Sequence, residues 1–283
     1  MWQSWSPDFR RQRVHPAVKR SLSAPRGLIL FAVPAVAIVV VPVVAVILRA
    51  NWSNFLASIS TDVSRTALVL SMRTSLLTTS LALIFGTPLA WLLASREFKF
   101  KSLLRALCVL PMVLPPVVGG VALLYAFGRR GVVGSALNDW FGWQLAFTQT
   151  AAVLAQFFVA APFFIIVMEA AFGQIDQRVV GSARTYGAGP WRTFVTVTLG
   201  LVRPSLAAAL VLTWARALGE FGATIAFAGN TEGRTQTVPL AVFSQLESGD
   251  DSALALSMLM MFVSLIVLVA LRGKWISALR RGF

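Results

Sequence analysis

Long uncharged apolar segments alternate with short charged segments along the chain. Five windows between successive Asp, Glu, Lys and Arg residues are long enough to cross the hydrocarbon core of a membrane, which takes about 20 helical residues. A sixth window, 204–215, is too short alone, but it suffices if the helix begins near Leu199 and carries Arg216 towards its far end. The pattern predicts an all-α integral membrane protein with six transmembrane helices, at approximately 27–48, 74–95, 106–128, 148–168, 199–220 and 252–271.

The composition also indicates a membrane protein. Of the 283 residues, 57% are hydrophobic and 13% are charged, about half the charged share of a soluble domain. Such a chain cannot cover its surface with polar groups in water. The single cysteine, Cys108, excludes a disulfide framework, and together with the single histidine, His15, it excludes a zinc or iron–sulfur site built from this chain alone.

The basic residues predict which side of the membrane each connection faces. With the N-terminus inside, the cytoplasmic segments are 1–26, 96–105, 169–203 and 272–283, and they hold 18 of the 25 Lys and Arg residues. This excess fits the positive-inside rule, so we expect both termini in the cytoplasm, with a basic tail at 1–26 on anionic membrane lipid and a second tail at 272–283. Topology thereby explains the net charge of +14, and nucleic-acid binding is not expected.

The longest inner connection, 169–199, carries signals for two short helices. Asp176 is a candidate N-cap, Gly187 a candidate residue just after a helix end, and Pro190 a candidate first-turn residue of the second helix. Two amphipathic helices with a sharp bend can rest on lipid headgroups, or they can dock in the groove of a partner protein. The spacing alone leaves both interpretations open.

This connection resembles the "EAA" loop in the permease subunits of binding-protein-dependent ABC importers. The matching stretch consists of Gly181-Ser182-Ala183, Gly187, Val197 and Leu199. The central glycine, the second alanine and the leucine agree with the pattern. Gly181 stands where the family has Glu, Ser182 where it has the first Ala, and Gly200 where it has Pro, so the role of the family's Glu is not carried over.

Two further stretches resemble the molybdate and sulfate permeases of that family. One runs from Leu114 to Arg129, and the other runs from Ala215 to Asn230 and continues at 235–240. The second is most similar to molybdate permeases, and the resemblance covers about residues 66–271. It implies a type I ABC importer permease fold in a bacterial or archaeal cell membrane, with the inner loop docked on an ATPase. The coupling residues that it implies are Gly181, Ser182, Ala183, Gly187, Ala188, Pro190, Trp191 and Leu199.

The energy for uphill transport must come from another chain. No phosphate-binding loop pattern occurs in the sequence, and the clean spans hold no paired carboxylates of the kind that proton-coupled carriers use. The chain is therefore expected to be a transport subunit without a cofactor of its own, and not an enzyme. The resemblance implies two ATP-binding subunits that carry ATP and Mg, a periplasmic or lipid-anchored oxyanion-binding protein, and a second copy of this chain.

The function expected from these features is molybdate import. Sulfate or thiosulfate import is the nearest alternative, and tungstate is too similar to molybdate in size and charge to be distinguished. A stand-alone secondary carrier is a third interpretation, although such carriers often show internal repeats and we find none between the two halves.

The third span contains a cluster of helix-breaking residues. These are Pro111, Pro115, Pro116, Gly119 and Gly120. They predict a kinked or locally unwound helix, which membranes tolerate where the backbone faces protein or a cavity. The span is expected either to line the transport pathway or to carry a passive kink.

Arg216 and Glu220 are the charges expected inside the fifth span. Because they are four residues apart, they share one helix face. They form either a structural ion pair or part of an outer gate, in which Arg216 attracts the anion and Glu220 restrains Arg216 when the pathway is empty. Gly219 and Gly222 beside them would allow a close helix approach or a hinge.

Small polar residues in the second span are a further candidate lining for an anion path. They are Thr74, Ser75, Thr78, Thr79 and Ser80. Hydroxyl groups are suitable weak donors for an oxyanion, but small polar residues also pack membrane helices together.

Overall fold

The computed structural model describes residues 26–250 and 252–281, with side-chain surroundings for 30–250 and 252–269. This part of the chain forms helices, turns and connections, without a strand. The helices are α1 (Arg26–Arg49), α2 (Phe55–Ile59), α3 (Asp62–Leu81), α4 (Thr87–Ser95), α5 (Lys101–Val113), α6 (Pro116–Phe127), α7 (Gly134–Phe141), α8 (Gln149–Gly173), α9 (Gln177–Thr185), α10 (Pro190–Thr193), α11 (Leu199–Leu201), α12 (Arg203–Leu218), α13 (Gly222–Ala228), α14 (Val238–Glu247) and α15 (Ser252–Arg281). Two π-helical turns, Ala82–Gly86 and Phe194–Thr198, connect α3 to α4 and α10 to α11.

The chain divides into two compact units, residues 1–48 and residues 49–283. In the first unit, α1 is an apolar helix with Pro34 and Pro42 inside it. The predicted basic tail lies outside the described residues, except for Arg26, where α1 begins.

Four helical segments in the described residues are long and apolar enough to cross a membrane. They are Leu30–Arg49, Asp62–Ser95, Gln149–Gly173 and Ser252–Val269. Two pairs of consecutive helical segments meet the same criterion when each pair is counted as one bent span. The first pair is α5 and α6, bent by 118°, and the second is Pro190–Leu201 and α12, bent by 76°. The described residues therefore provide four spans, or up to six if each bent pair counts as one. The count of six and the side of each terminus remain predictions.

Several helices extend beyond the predicted spans. The second begins at Asp62 rather than at 74, and the third begins at Lys101 rather than at 106. The fourth continues to Gly173, inside the predicted inner loop, and α15 continues to Arg281, through most of the predicted tail at 272–283. The predicted limits followed charged residues, but a charged side chain does not interrupt backbone hydrogen bonds and a helix continues through it.

In the second unit, α8 packs against α3, α4, α5, α12 and α13. Its buried face is rich in alanine, which allows these helices to come close. At Gly86 the approach is so close that a Cβ atom would lie 2.7 Å from Cδ1 of Phe164. Two of the three buried clusters therefore include α8, and the third lies between α3, α14 and α15.

Contacts between the helices establish their directions. Thr78 bonds to the Val153 carbonyl, and further along both helices Gly86 meets Phe164, so α3 and α4 run parallel to α8. Trp214 bonds to Ser75, whereas Val202 and Ala209, earlier in sequence, share a buried cluster with Ala82 and Ala90. The α12 helix therefore runs antiparallel to α3 and α4, and its last turn lies beside the middle of α3.

Candidate functional site

The predicted break in the third span is present. The α5 helix ends at Val113, Leu114 and Pro115 are extended, and α6 begins at Pro116 in a very different direction. Proline has no backbone N–H to donate, and it disfavours the helical conformation of the preceding residue. Two consecutive prolines therefore account for a break rather than a slight kink.

Small residues hold α13 directly against α6 at this break. A Cβ atom on Gly120 would lie 2.7 Å from the Ala223 carbonyl oxygen, and one on Gly222 would lie 2.8 Å from Cβ of Pro116. Both glycines are thus required for the approach of the two helices. Gly219 is different, because a Cβ atom there would meet only the Ala215 carbonyl oxygen, at 3.6 Å. The predicted close approach is confirmed at Gly222, and Gly219 does not contribute to it.

Arg216 and Glu220 form an ion pair, with 2.6 Å between a guanidinium nitrogen and Oε2. Glu220 is only 1% exposed, while the Arg216 side chain is 27% exposed. The α12 helix ends at Leu218, so Glu220 lies in the connection to α13 and not in the helix as predicted. Glu220 Oε1 also accepts a hydrogen bond of 2.8 Å from the N–H of Ala223, in the first turn of α13.

Glu220 therefore joins the last turn of α12 to the first turn of α13. The spacing of four residues between Arg216 and Glu220 does not indicate the hydrogen bond to Ala223. That bond forms only because α12 ends before Glu220 and the chain turns into α13. The ion pair, α13 and the Pro116 break form one connected structure, since α13 rests on α6 through Gly222.

Three polar side chains of α3 hold helices together. Gln156 of α8 donates to Thr74 Oγ1 at 3.1 Å and accepts from Thr78 Oγ1 at 3.2 Å, while Trp214 Nε1 donates to Ser75 Oγ at 3.0 Å. All three hydroxyl residues are buried. These contacts between helices are of the kind expected if Thr74, Ser75 and Thr78 are packing residues. Gln156 is a member that the sequence analysis missed, because a single glutamine in an apolar helix does not indicate its partners.

Thr79 and Ser80 have different surroundings. Their hydroxyl groups donate to carbonyl groups of the preceding turn of their own helix, at Ser75 and Leu76. Ser80 is exposed.

The inner connection folds into two short helices as predicted. Asp176 caps α9 by accepting a hydrogen bond of 2.8 Å from the N–H of Arg178, and Gly187 follows the helix with a φ of +83°. Pro190 is the first residue of α10. The bend between α9 and α10 depends on Gly187, since a left-handed φ is unfavourable for residues with a Cβ atom.

The implied coupling residues lie along this helix pair. Gly181, Ser182 and Ala183 are in α9, Gly187 and Ala188 are in the bend, Pro190 and Trp191 are in α10, and Leu199 begins α11. Trp191 is 77% exposed and Tyr186, next to the bend, is 92% exposed. Exposed aromatic groups of this size suit either a membrane surface or a partner protein.

A cavity of about 530 Å³ separates α9 and α10 from the ends of α4 and α8. Its wall includes Trp91, Phe172, Arg184 and Phe194. The helix pair is thus packed incompletely against the membrane helices. The α12 helix begins at Arg203, next to the coupling residues, and extends about 20 Å from there to Arg216. The coupling residues and Arg216 therefore lie towards opposite ends of α12.

One ion pair near the inner connection was not anticipated. Arg105 of α5 donates to Glu169 of α8 through Nε, at 2.9 Å, and through a terminal nitrogen. The two residues are far apart in sequence, so no local spacing indicates this contact. It ties the beginning of the broken α5–α6 pair to the far end of α8.

Comparisons with known proteins agree with this architecture. Residues 86–281 match the protein family described as "Binding-protein-dependent transport system inner membrane component". The chain is 43% identical over 252 residues to the Molybdenum transport system permease protein ModB of Mycobacterium tuberculosis, covering 88% of this chain and 94% of that protein. It is 39% identical over 223 residues to the protein of the same name from Escherichia coli K12, covering 79% and 97%.

A solved structure is similar in fold. It is described as a bacterial alginate ABC transporter in complex with an alginate pentasaccharide-bound periplasmic protein. The match has a TM-score of 0.63 and 18% sequence identity, and it covers 88% of this chain and 93% of that chain. At this identity the similarity concerns the fold alone.

Proposed function

Because the chain belongs to the family of binding-protein-dependent transport system inner membrane components, we propose that it is the permease subunit of an ATP-driven molybdate importer. The observation that carries this proposal is the 43% identity to a molybdenum transport permease over 94% of that protein's length. The chain has the type I ABC importer permease fold and is a multi-pass inner membrane protein. Transport by alternating access is the mechanism that we propose for it.

The pathway residues in this proposal surround the broken helix pair. Pro115 and Pro116 allow α5 and α6 to change their relative angle, and Gly119, Gly120 and Gly222 keep the neighbouring helices close while they do so. Arg216 attracts the oxyanion, and Glu220 holds Arg216 when no anion is present. Gly219 lies between the two charged residues and is itself exposed. Carboxylates would repel a dianion, and the one carboxylate of this group is buried and paired.

The α9–α10 pair is the proposed contact with the ATPase subunits, of which there would be two. Trp191 and Tyr186 provide apolar area on the exposed side, and Arg178, Arg184 and Arg192 provide positive charge. The cavity behind the pair gives it room to shift when an ATPase subunit moves. Coupling would then pass through the π-helical turn Phe194–Thr198 into α12, which leads to Arg216.

Two more partners complete the proposed transporter. A periplasmic or lipid-anchored protein would deliver the oxyanion at the outer side, which agrees with the family's description as binding-protein-dependent. A second copy of this chain would provide the other half of the pathway. ATP and Mg would bind only to the ATPase subunits.

The test is uptake of labelled molybdate into liposomes that contain this chain, its ATPase and the binding protein. ATP is supplied to the ATPase side or omitted, and excess sulfate or tungstate is added as a competitor. ATP-dependent uptake that resists sulfate is the expected result. Uptake abolished by sulfate would reassign the substrate, and uptake that is independent of ATP would contradict the ABC importer proposal in favour of a secondary carrier.

A further inference from the structure

The cavity behind the α9–α10 pair has an aromatic wall and a charged residue. Trp91, Phe172 and Phe194 provide the aromatic surface, and Arg184 is the one charged residue among the described residues that line the cavity. The rings of Trp91 and Phe194 are in edge contact, with centroids 5.8 Å apart, so α4 and the π-helical turn Phe194–Thr198 meet here. The volume of about 530 Å³ is in the range of small-molecule binding sites.

The cavity extends from the end of a membrane span towards the interior of that span. Ser95, the last residue of α4, lies on its wall, and so does Pro88, which is seven residues or about 10 Å further along the helix. In the turn before Pro88, the apolar side chains of Ile84 and Phe85 are exposed. An exposed apolar surface therefore continues from the cavity along the span.

The helix pair in front of the cavity carries only positive charge. The two helices hold Arg178, Arg184 and Arg192, and neither contains Asp or Glu. Among the described residues, no carboxylate forms an ion pair with Arg184. Its guanidinium is therefore available to an anionic ligand, and a guanidinium can donate two parallel hydrogen bonds to a phosphate group.

We propose that this cavity binds one anionic phospholipid, with the phosphate on Arg184 and an acyl chain against Trp91, Phe172 and Phe194. Apolar cavities exclude water and accept apolar ligands. Basic pockets between membrane helices on the cytoplasmic side bind anionic headgroups, and the predicted topology places α9 and α10 on that side. A soluble anion would match Arg184 alone and a neutral lipid would match the aromatic wall alone, whereas an anionic phospholipid matches both.

A lipid in this position would affect the helix pair that we propose as the ATPase contact. Trp191 of α10 and Phe194, where the turn towards α12 begins, both line the cavity. A bound lipid would fill the space behind them and limit how far α9 and α10 can move without moving α12. This consequence rests on the proposed import function, whereas the binding of the lipid does not.

The experiment measures the lipid that stays bound to the complete transporter. The complex is equilibrated in detergent with equal amounts of phosphatidylglycerol and phosphatidylcholine that carry the same acyl chains, it is purified again, and its bound lipids are quantified by mass spectrometry. Arg184→Gln removes the charge, Arg184→Lys retains it, and Ala94→Trp fills the cavity without a change of charge. Arg96→Gln is the matched control, because Arg96 is an exposed arginine directly after Ser95 and does not line the cavity.

We expect the original chain to retain phosphatidylglycerol in preference to phosphatidylcholine. Arg184→Gln should lower the retained phosphatidylglycerol about fivefold, the effect of one basic residue on an anionic lipid, and Arg184→Lys should retain most of it. Ala94→Trp should lower it as well, because the indole occupies the place of the acyl chain. Arg96→Gln should retain as much as the original chain, and thermal unfolding of the Arg184 variants should be unchanged, because that side chain is exposed.

Equal retention of the two lipids by the original chain would overturn this site. Unchanged retention of phosphatidylglycerol by Arg184→Gln would also overturn it, and so would equal losses in Arg184→Gln and Arg96→Gln, because the lipid would then respond to surface charge and not to the cavity. Molybdate uptake is measured separately in liposomes. If the original chain retains phosphatidylglycerol as expected but shows no ATP-dependent uptake, the proposed function is overturned and the lipid site is supported.

Discussion

Replacement of Glu220 by glutamine separates the two contacts of this residue. Glutamine retains an Oε1 atom that can accept the hydrogen bond from the Ala223 N–H, but it removes the charge that pairs with Arg216. Glu220→Ala removes both contacts. The two variants therefore report on the ion pair and on the support of α13 separately.

The burial of the pair gives the expected magnitude. Breaking a fully buried ion pair costs about 3–5 kcal/mol, because the remaining charge is left without a partner. The remaining charge here is Arg216, whose side chain is 27% exposed, so we expect a smaller loss of about 2 kcal/mol for Glu220→Gln. Glu220→Ala should cost about 1 kcal/mol more, the usual value of a helix cap.

The measurements are thermal unfolding of the purified transporter, the amount of co-purified ATPase, and ATP hydrolysis stimulated by the loaded binding protein. Glu220→Gln should unfold a few degrees lower, assemble normally and alter the stimulated hydrolysis more than the assembly. Glu97→Gln is the matched control, because Glu97 pairs with Lys101 at the same 2.6 Å and at the same spacing of four, but its carboxylate is 89% exposed, whereas Glu220 is buried. Because the carboxylate of this pair lies in solvent, its loss should cost about 1 kcal/mol or less.

Two results would refute this reasoning. If Glu220→Gln fails to assemble while Glu97→Gln assembles, the pair is structural and does not act as a gate. If Glu220→Gln unfolds and hydrolyses ATP as the original chain does, the ion pair contributes neither stability nor control.

Four further substitutions test other parts of the structure. Gly222→Ala should destabilise the transporter by about 1–3 kcal/mol through overpacking, whereas Gly219→Ala should be tolerated, and thermal unfolding compares the two. Gly181→Glu should leave the fold intact, because a Cβ atom there meets nothing within 4 Å, and any change in the ratio of ATP hydrolysed to molybdate imported would place Gly181 in the ATPase contact. Gln156→Leu should cost about 1–3 kcal/mol, because it removes two buried hydrogen bonds, to Thr74 and Thr78, of about 0.5–1.5 kcal/mol each, and an unchanged unfolding temperature would contradict this.

Local features of the chain were predictable where their cause is local. The caps at Asp176 and Gly187, the start of α10 at Pro190 and the break at Pro115 each depend on the conformational preferences of one or two residues. Such preferences act within a single turn of helix. Long apolar segments likewise indicated a membrane protein, since few other environments can accept them.

The helix ends were less predictable from charge. Arg73 and Arg105 were taken as limits of spans, but both lie inside helices. A helix ends where its backbone hydrogen bonds end, and an ionic side chain can remain within it if a partner or water is available. Arg105 has such a partner in Glu169, on a helix that is distant in sequence.

The sequence by itself therefore determined the membrane class, the family resemblance and the positions of the breaks and caps, because these depend on composition and on neighbouring residues. Only the tertiary structure decided which charges and hydroxyl groups meet. Glu220 supports α13, Gln156 joins Thr74 and Thr78, and Trp214 meets Ser75, because α12 turns back along α3 while α8 packs beside both. Helix direction and packing create these contacts, and no spacing along a single helix contains that information.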